Sequence, residues 1–131
     1  MGIGIIDVLD GKKIDREDLP QIPKSALSNF VRYLLSKNIE VKCFNCSADK
    51  LFPSQSQINM DKVSDMEPSD LPLVTDKDNN IMDGHHRWAT NLMSDIKYPC
   101  RIIKVMIPLE DLMNHGHNFG KSFTKSISES L

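Results

Sequence analysis

The densest run of chemically useful residues is Asp83-Gly84-His85-His86-Arg87. It offers a carboxylate, a residue without a Cβ, two imidazoles and a guanidinium side by side. Such a set suits an oxyanion. A guanidinium forks onto two phosphate oxygens. Imidazoles donate hydrogen bonds or move a proton near neutral pH. Glycine lets the backbone approach a phosphate closely and take an unusual turn. Asp83 can cap a helix, orient a histidine or hold a metal. The bland alternative is an Asp-Gly turn leading into a solvated first helical turn, with Trp88 in the core.

Chemistry at this run depends on what precedes and follows it. Leu71 to Thr75 reads as a short strand, Asp76 to Asn80 as a turn, and Ile81-Met82 as a brief return strand. His85 to Ser94 then has a helical period, with Trp88, Ala89, Leu92 and Met93 on its apolar side. A helix starting within two residues of a strand presents N–H groups that lack internal partners, and its dipole adds positive charge there. That junction is a natural anion site.

The rest of the chain supplies a scaffold. Residues 1–22 lack a clear period and read as a lead-in that covers one side of the domain. Lys24 to Asn38 is the best helix: Leu27, Phe30, Val31, Leu34 and Leu35 share one face, Ser25 can cap it and Asn38 can end it. Ile39 to Phe44 alternates like a half-buried strand. Leu51 to Gln57 reads as a strand end turning into a loop. Asn59 opens a short helix with Met60, Val63 and Met66 on one face. Tyr98 to Ile107 is the strongest strand. Pro108 starts a helix expected to stop near Gly116, leaving a frayed polar tail.

Other polar constellations are weaker. Cys43 and Cys46 form a C-x-x-C, but they straddle a strand end and adjacent histidines point apart. Structural zinc shared with His85 and His86 is therefore not expected. His115 and His117 read as flanking a helix stop at Gly116. Arg101 and Lys104 are expected to stay solvated.

Composition narrows the class. The chain has 131 residues, 40% hydrophobic and 26% charged, enough for one core. A net charge of −2 argues against a protein whose main task is coating duplex nucleic acid, which needs clustered Lys and Arg. Three cysteines do not suggest a disulfide framework. The N-terminus does not look like a secretory leader, and Ile6 breaks the myristoylation pattern. No apolar run nears the roughly 18–20 residues of a membrane span. A cytoplasmic protein with no membrane partner is expected.

The segment from Leu73 to Leu92, LVTDKDNNIMDGHHRWATNL, resembles the signature of the ParB/sulfiredoxin superfamily. There a short hairpin leads into a Gly-polar-His/Arg-Arg turn at a helix start. The DGHHR form resembles free serine kinases and phage- or plasmid-type ParB-like nuclease domains. Upstream, LFPSQSQINMDKV is similar to the family's first motif. The resemblance spans residues 39–107, with the helix at 24–38 as an addition and residues 108–131 as a C-terminal helix and flexible tail. It implies a compact α+β domain with a small mixed sheet and packed helices, making one domain of the chain. It implies phosphate held by Gly84, His85, His86 and Arg87, with Asp83 as the acidic residue. Gln55 and Gln57 fall where relatives place a polar or acidic residue facing the cleft; several active relatives have Glu there, and Gln cannot act as a general base. The sulfiredoxin cysteine is missing from the loop, and no helix-turn-helix follows it.

The implied function is binding of a nucleotide or nucleic-acid phosphate, with phosphoester hydrolysis assisted by Mg²⁺ at Asp83. His86 is the expected acid or base, with Asp83 and His85 beside it. ATP, ADP and CTP are the expected ligand types. One alternative is a small-molecule kinase resembling free serine kinase. Another is a binding module that acts through a protein partner or a second copy.

Overall fold

The computed structural model describes residues 5–7, 13–61, 71–94 and 99–130. The elements in chain order are β1 (Ile5–Asp7), α1 (Leu27–Ser36), β2 (Val41–Cys46), β3 (Phe52–Pro53), β4 (Gln57–Asn59), β5 (Leu73–Thr75), β6 (Asn80–Asp83), α2 (His85–Leu92), β7 (Cys100–Val105) and α3 (Leu109–Ser130). Single 3-10 turns lie at Arg16–Asp18, Lys24–Ala26 and Ala48–Lys50. The class is α+β, as expected.

Five strands form a mixed sheet in the order β2-β7-β5-β6-β3. β2 runs antiparallel to β7, and β7 parallel to β5. β5 and β6 are the expected hairpin, with an irregularity between Val74 and Thr75, and β6 is parallel to β3. β1 and β4 pair separately.

The central strands are buried on both faces, because side chains alternate across a strand and each face has its own cover. Val74, Met82, Ile103 and Val105 pack with Leu27, Phe30 and Leu34 of α1 and with Leu109, Leu112 and Phe119 of α3. Their neighbours Leu73, Ile81, Cys100 and Ile102 turn the other way, onto Ala48, Leu51 and Trp88 of α2. The site helix thus sits on the opposite face of the sheet from α1 and α3.

Several expectations shift. Leu35 is 53% exposed, so the buried face of α1 is narrower than its apolar spacing suggests. Ser25 does not cap α1: the N-cap is Ala26, with no side-chain cap. The helix ends at Ser36, and Asn38, two residues on, takes a left-handed φ of 62° that turns the chain, with Ile39 N–H returning to Leu34 C=O at 3.1 Å. β2 is not half-buried, since Lys42, Cys43, Phe44 and Asn45 are all exposed at the edge of the sheet. Most of the helix expected from Asn59 lies outside the described residues.

The C-terminal helix does not stop at Gly116. It continues to Ser130, and Phe119 is buried against Phe30 and Tyr33. A Cβ at position 116 would meet the Pro20 ring at 2.5 and 2.8 Å. Gly116 therefore marks a close crossing of the lead-in rather than a helix end. Leu19 and Ile22 complete the same cluster, so the core draws on residues on both sides of 39–107.

Candidate functional site

Gly84 opens α2 with φ 102° and ψ 24°. This left-handed conformation favours glycine. The first intrahelical bond runs from Trp88 N–H to Gly84 C=O at 2.9 Å. The N–H groups ahead of Trp88 thus have no acceptor within the helix itself. The space a Cβ would occupy is taken: Leu73 Cδ2 stands 2.5 Å from that point and Arg87 Nη2 2.9 Å. Glycine at 84 makes room for the Arg87 head to fold back over the turn.

Arg87 is held in place rather than extended into solvent. Its Nη2 donates to Pro72 C=O at 3.0 Å and lies 4.0 Å from Asp83 Oδ2. Its Nε is buried and makes no hydrogen bond among the described residues. Asp83 is 4% exposed and accepts a hydrogen bond from Ile22 N–H at 3.3 Å. Burial raises its pKa, opposed by the Arg87 charge and by backbone N–H groups of Ile22 and Gly84.

His85 turns inward. It is 3% exposed, and its Nε2 accepts hydrogen bonds from Ser54 N–H at 2.9 Å and Gln55 N–H at 3.1 Å. Ser54 Oγ lies 3.3 Å away and bonds Ile81 C=O. A ring nitrogen that accepts two backbone N–H groups carries no proton, so the ring is neutral with its hydrogen on Nδ1. Burial, then the neighbouring His86, lowers its pKa to about 3. His85 is the pin that joins α2 to the loop after β3. The resemblance implies phosphate contact for His85, and the run itself gives no sign of which imidazole turns inward.

The other expected residues spread out. His86 is half-buried at the first turn of α2. Gln55 is buried and donates through Nε2 to Gln57 C=O at 2.5 Å. Gln57 is exposed on β4, opposite Asp7. The two glutamines therefore do not present amides together to one cleft. Ser54, which the sequence did not mark, meets His85 through both its N–H and its hydroxyl. Its only trace in the sequence was its place in the polar stretch after Pro53.

Other polar groups have structural partners. Trp88 Nε1 donates to Ala48 C=O at 2.8 Å. His115 Nδ1 is 3.2 Å from Tyr33 Oη, and His117 Nε2 is 2.8 Å from Asp18 C=O. Cys43 is exposed, whereas Cys46 is half-buried opposite Cys100. Arg101 is exposed as expected, and Lys104 is half-buried.

A cleft of about 670 Å³ lies at the far end of β6 from Gly84. Asp18, Asp76, Asp78, Glu110 and His117 line it together with Leu109 and Met113. Its carboxylates oppose an anion. Asp76 there belongs to the hairpin turn: Oδ1 accepts from Asp78 and Asn80 N–H and Oδ2 from Asn80 Nδ2, each at 2.8 Å. The cleft is distinct from the Asp83–Arg87 run.

Among the described residues, no helix is long and apolar enough to cross a membrane. No family model matches the chain, and neither curated proteins nor solved structures give a match.

Proposed function

We infer that this chain is a ParB/sulfiredoxin-like phosphate-binding domain that takes a nucleotide or nucleic-acid phosphate at the N-terminus of α2. The observation that carries this reading is Gly84 at φ 102° with Arg87 folded back over it. A guanidinium, a helix start and a left-handed glycine meet at one point. A phosphate there competes with Asp83 and Pro72 C=O for the Arg87 head, and Nε supplies a further donor.

Binding is favoured over hydrolysis by the state of the neighbouring groups. His85 has its basic nitrogen occupied and is not a base near neutral pH. Gln55 is buried and cannot take a proton. Mg²⁺ does not fit at Asp83, because that carboxylate is buried and already faces a cation, Arg87. No catalytic step is therefore assigned to a metal at this position. The enzymatic reading, as a phosphohydrolase or a small-molecule kinase, rests on half-buried His86.

The test is a thermal-shift panel of ATP, ADP, CTP, DNA and RNA, each with and without Mg²⁺, on wild type, Arg87→Lys and Arg87→Ala. A ligand bound only by the folded state raises the apparent Tm by mass action. Arg87→Ala should weaken binding about ten- to a hundred-fold, and Arg87→Lys should restore part of it. Equal shifts in all three proteins would remove the site. His86→Ala separates the readings: in an enzyme turnover falls more than affinity, and in a binding module affinity alone changes.

A further inference from the structure

The functional site leaves one reactive pair unused. Cys46 closes β2 and Cys100 opens β7, and they are direct partners in the antiparallel ladder. Directly opposed residues in such a ladder stand about 4.5 or 5.5 Å apart at Cα, depending on the type of rung. Both values fall within the roughly 4.4–6.8 Å that a disulfide spans. Directly opposed side chains also share one face of the sheet. Here that face is the one that carries Trp88 and Ile102.

We propose that Cys46 and Cys100 are a redox-active thiol pair that closes to a cross-strand disulfide and staples the sheet edge beneath the α2 layer. The two thiols differ in exposure, which sets the order of attack. Cys100 is fully buried, with Asn91 Nδ2 3.7 Å from its sulfur. Burial pushes its thiol pKa up, and proximity to Cys46 adds to the rise. Cys46 is half-buried at the end of the edge strand, within reach of solvent. Cys46 is therefore the attacking sulfur and Cys100 the resolving one. Cys43 lies three residues before Cys46 on one strand, so it points to the opposite face and pairs with Ile103.

The oxidant is a small-molecule disulfide of the glutathione type. The Cys46 thiolate attacks one of its sulfurs, the S–S bond breaks, and one small thiol leaves after taking a proton. Cys100 then gives its proton to solvent and attacks Cys46 Sγ, releasing the second small thiol. The protein loses two electrons and two protons, and the oxidant becomes two thiols. Because Cys100 resists deprotonation, the second step quickens as pH rises.

The bond closes the long segment between Cys46 and Cys100, which contains the Asp83–Arg87 run. Constraining the unfolded chain over such a loop should raise Tm on the order of 10 °C. The full-length protein is incubated with glutathione disulfide at about pH 8 and mapped by non-reducing peptide mass spectrometry. The proposal expects one cross-linked peptide joining Cys46 to Cys100, no glutathione left on either of them whatever the state of exposed Cys43, and a Tm rise reversed by dithiothreitol. Cys43→Ser should form the same bond, and Cys46→Ser should show neither bond nor Tm rise. Cross-links confined to Cys43, or stable mixed disulfides on Cys46 with Cys100 still reduced, would overturn it. The wild-type peptide map decides the matter even if Cys100→Ser fails to fold.

Discussion

At the scale of single residues, the Asp83–Arg87 run divides into a pin and a clamp. His85 is the pin. Its folded pKa of about 3 lies below the ordinary 6.5. As pH falls through that window the unfolded chain takes up a proton that the folded ring refuses, so stability drops on acidification. The lost contribution should reach about 3–5 kcal/mol by the lower end. The raised pKa of Asp83 works in the opposite sense over the carboxylate range. Urea titrations from neutral to acid pH should show a falling midpoint in wild type and a flatter profile in His85→Gln. A midpoint that ignores pH would mean that the imidazole is not buried neutral. For the clamp, Gly84→Ala meets both a left-handed φ and the Leu73 side chain. It should cost roughly 1–3 kcal/mol and, on the proposed function, weaken phosphate binding in the same variant.

At the scale of elements, α3 runs well past Gly116 and carries core contacts with it. Phe119 packs on Phe30 and Tyr33, so its helix belongs to the core for at least three turns. Phe119→Ala should destabilise by about 3–5 kcal/mol in chemical denaturation. Removing residues 118–131 should lower Tm markedly, because it takes Phe119 out of the core, and Phe119→Ala in the full chain should reproduce a large part of that loss. An unchanged Tm after removal of 118–131 would show that Phe119 contributes nothing. Gly116→Ala inverts the usual helix ranking. Alanine is the better helix former by about 1 kcal/mol, yet the Pro20 ring occupies the Cβ position. The net effect should be a loss of stability, rescued in part by Pro20→Ala.

At the scale of the whole molecule, the N-terminal segment ties the core to the site. Leu19 and Ile22 sit among the α1 and α3 side chains, and Ile22 N–H donates to the Asp83 carboxylate. Deleting residues 1–22 should therefore lower Tm and, on the proposed function, weaken phosphate binding together. Circular dichroism melts paired with ligand titration check this. A truncated protein with unchanged affinity would uncouple the lead-in from the Asp83–Arg87 clamp. The sheet carries this coupling because both its faces are covered. Met82 is locked into one layer and Ile81 into the other, so β6 delivers Asp83 and Gly84 with little freedom.

The local pattern determined what local physics governs. The hairpin into DGHHR, the α1 period, the turn at Asn38 and a strand within Tyr98 to Ile107 could be read from spacing, turn chemistry and β-branched content. The left-handed turn at Gly84 was legible because glycine alone adopts it readily. Contacts between distant segments decided the rest. Which histidine faces the sheet depends on Ser54, thirty-one residues away in sequence. Whether Arg87 reaches solvent depends on Pro72 and Asp83. Whether Gly116 ends a helix depends on Pro20, and whether Phe119 is tail or core depends on Phe30. Each of these is a packing outcome between segments far apart in the chain, and no window of neighbouring residues contains it.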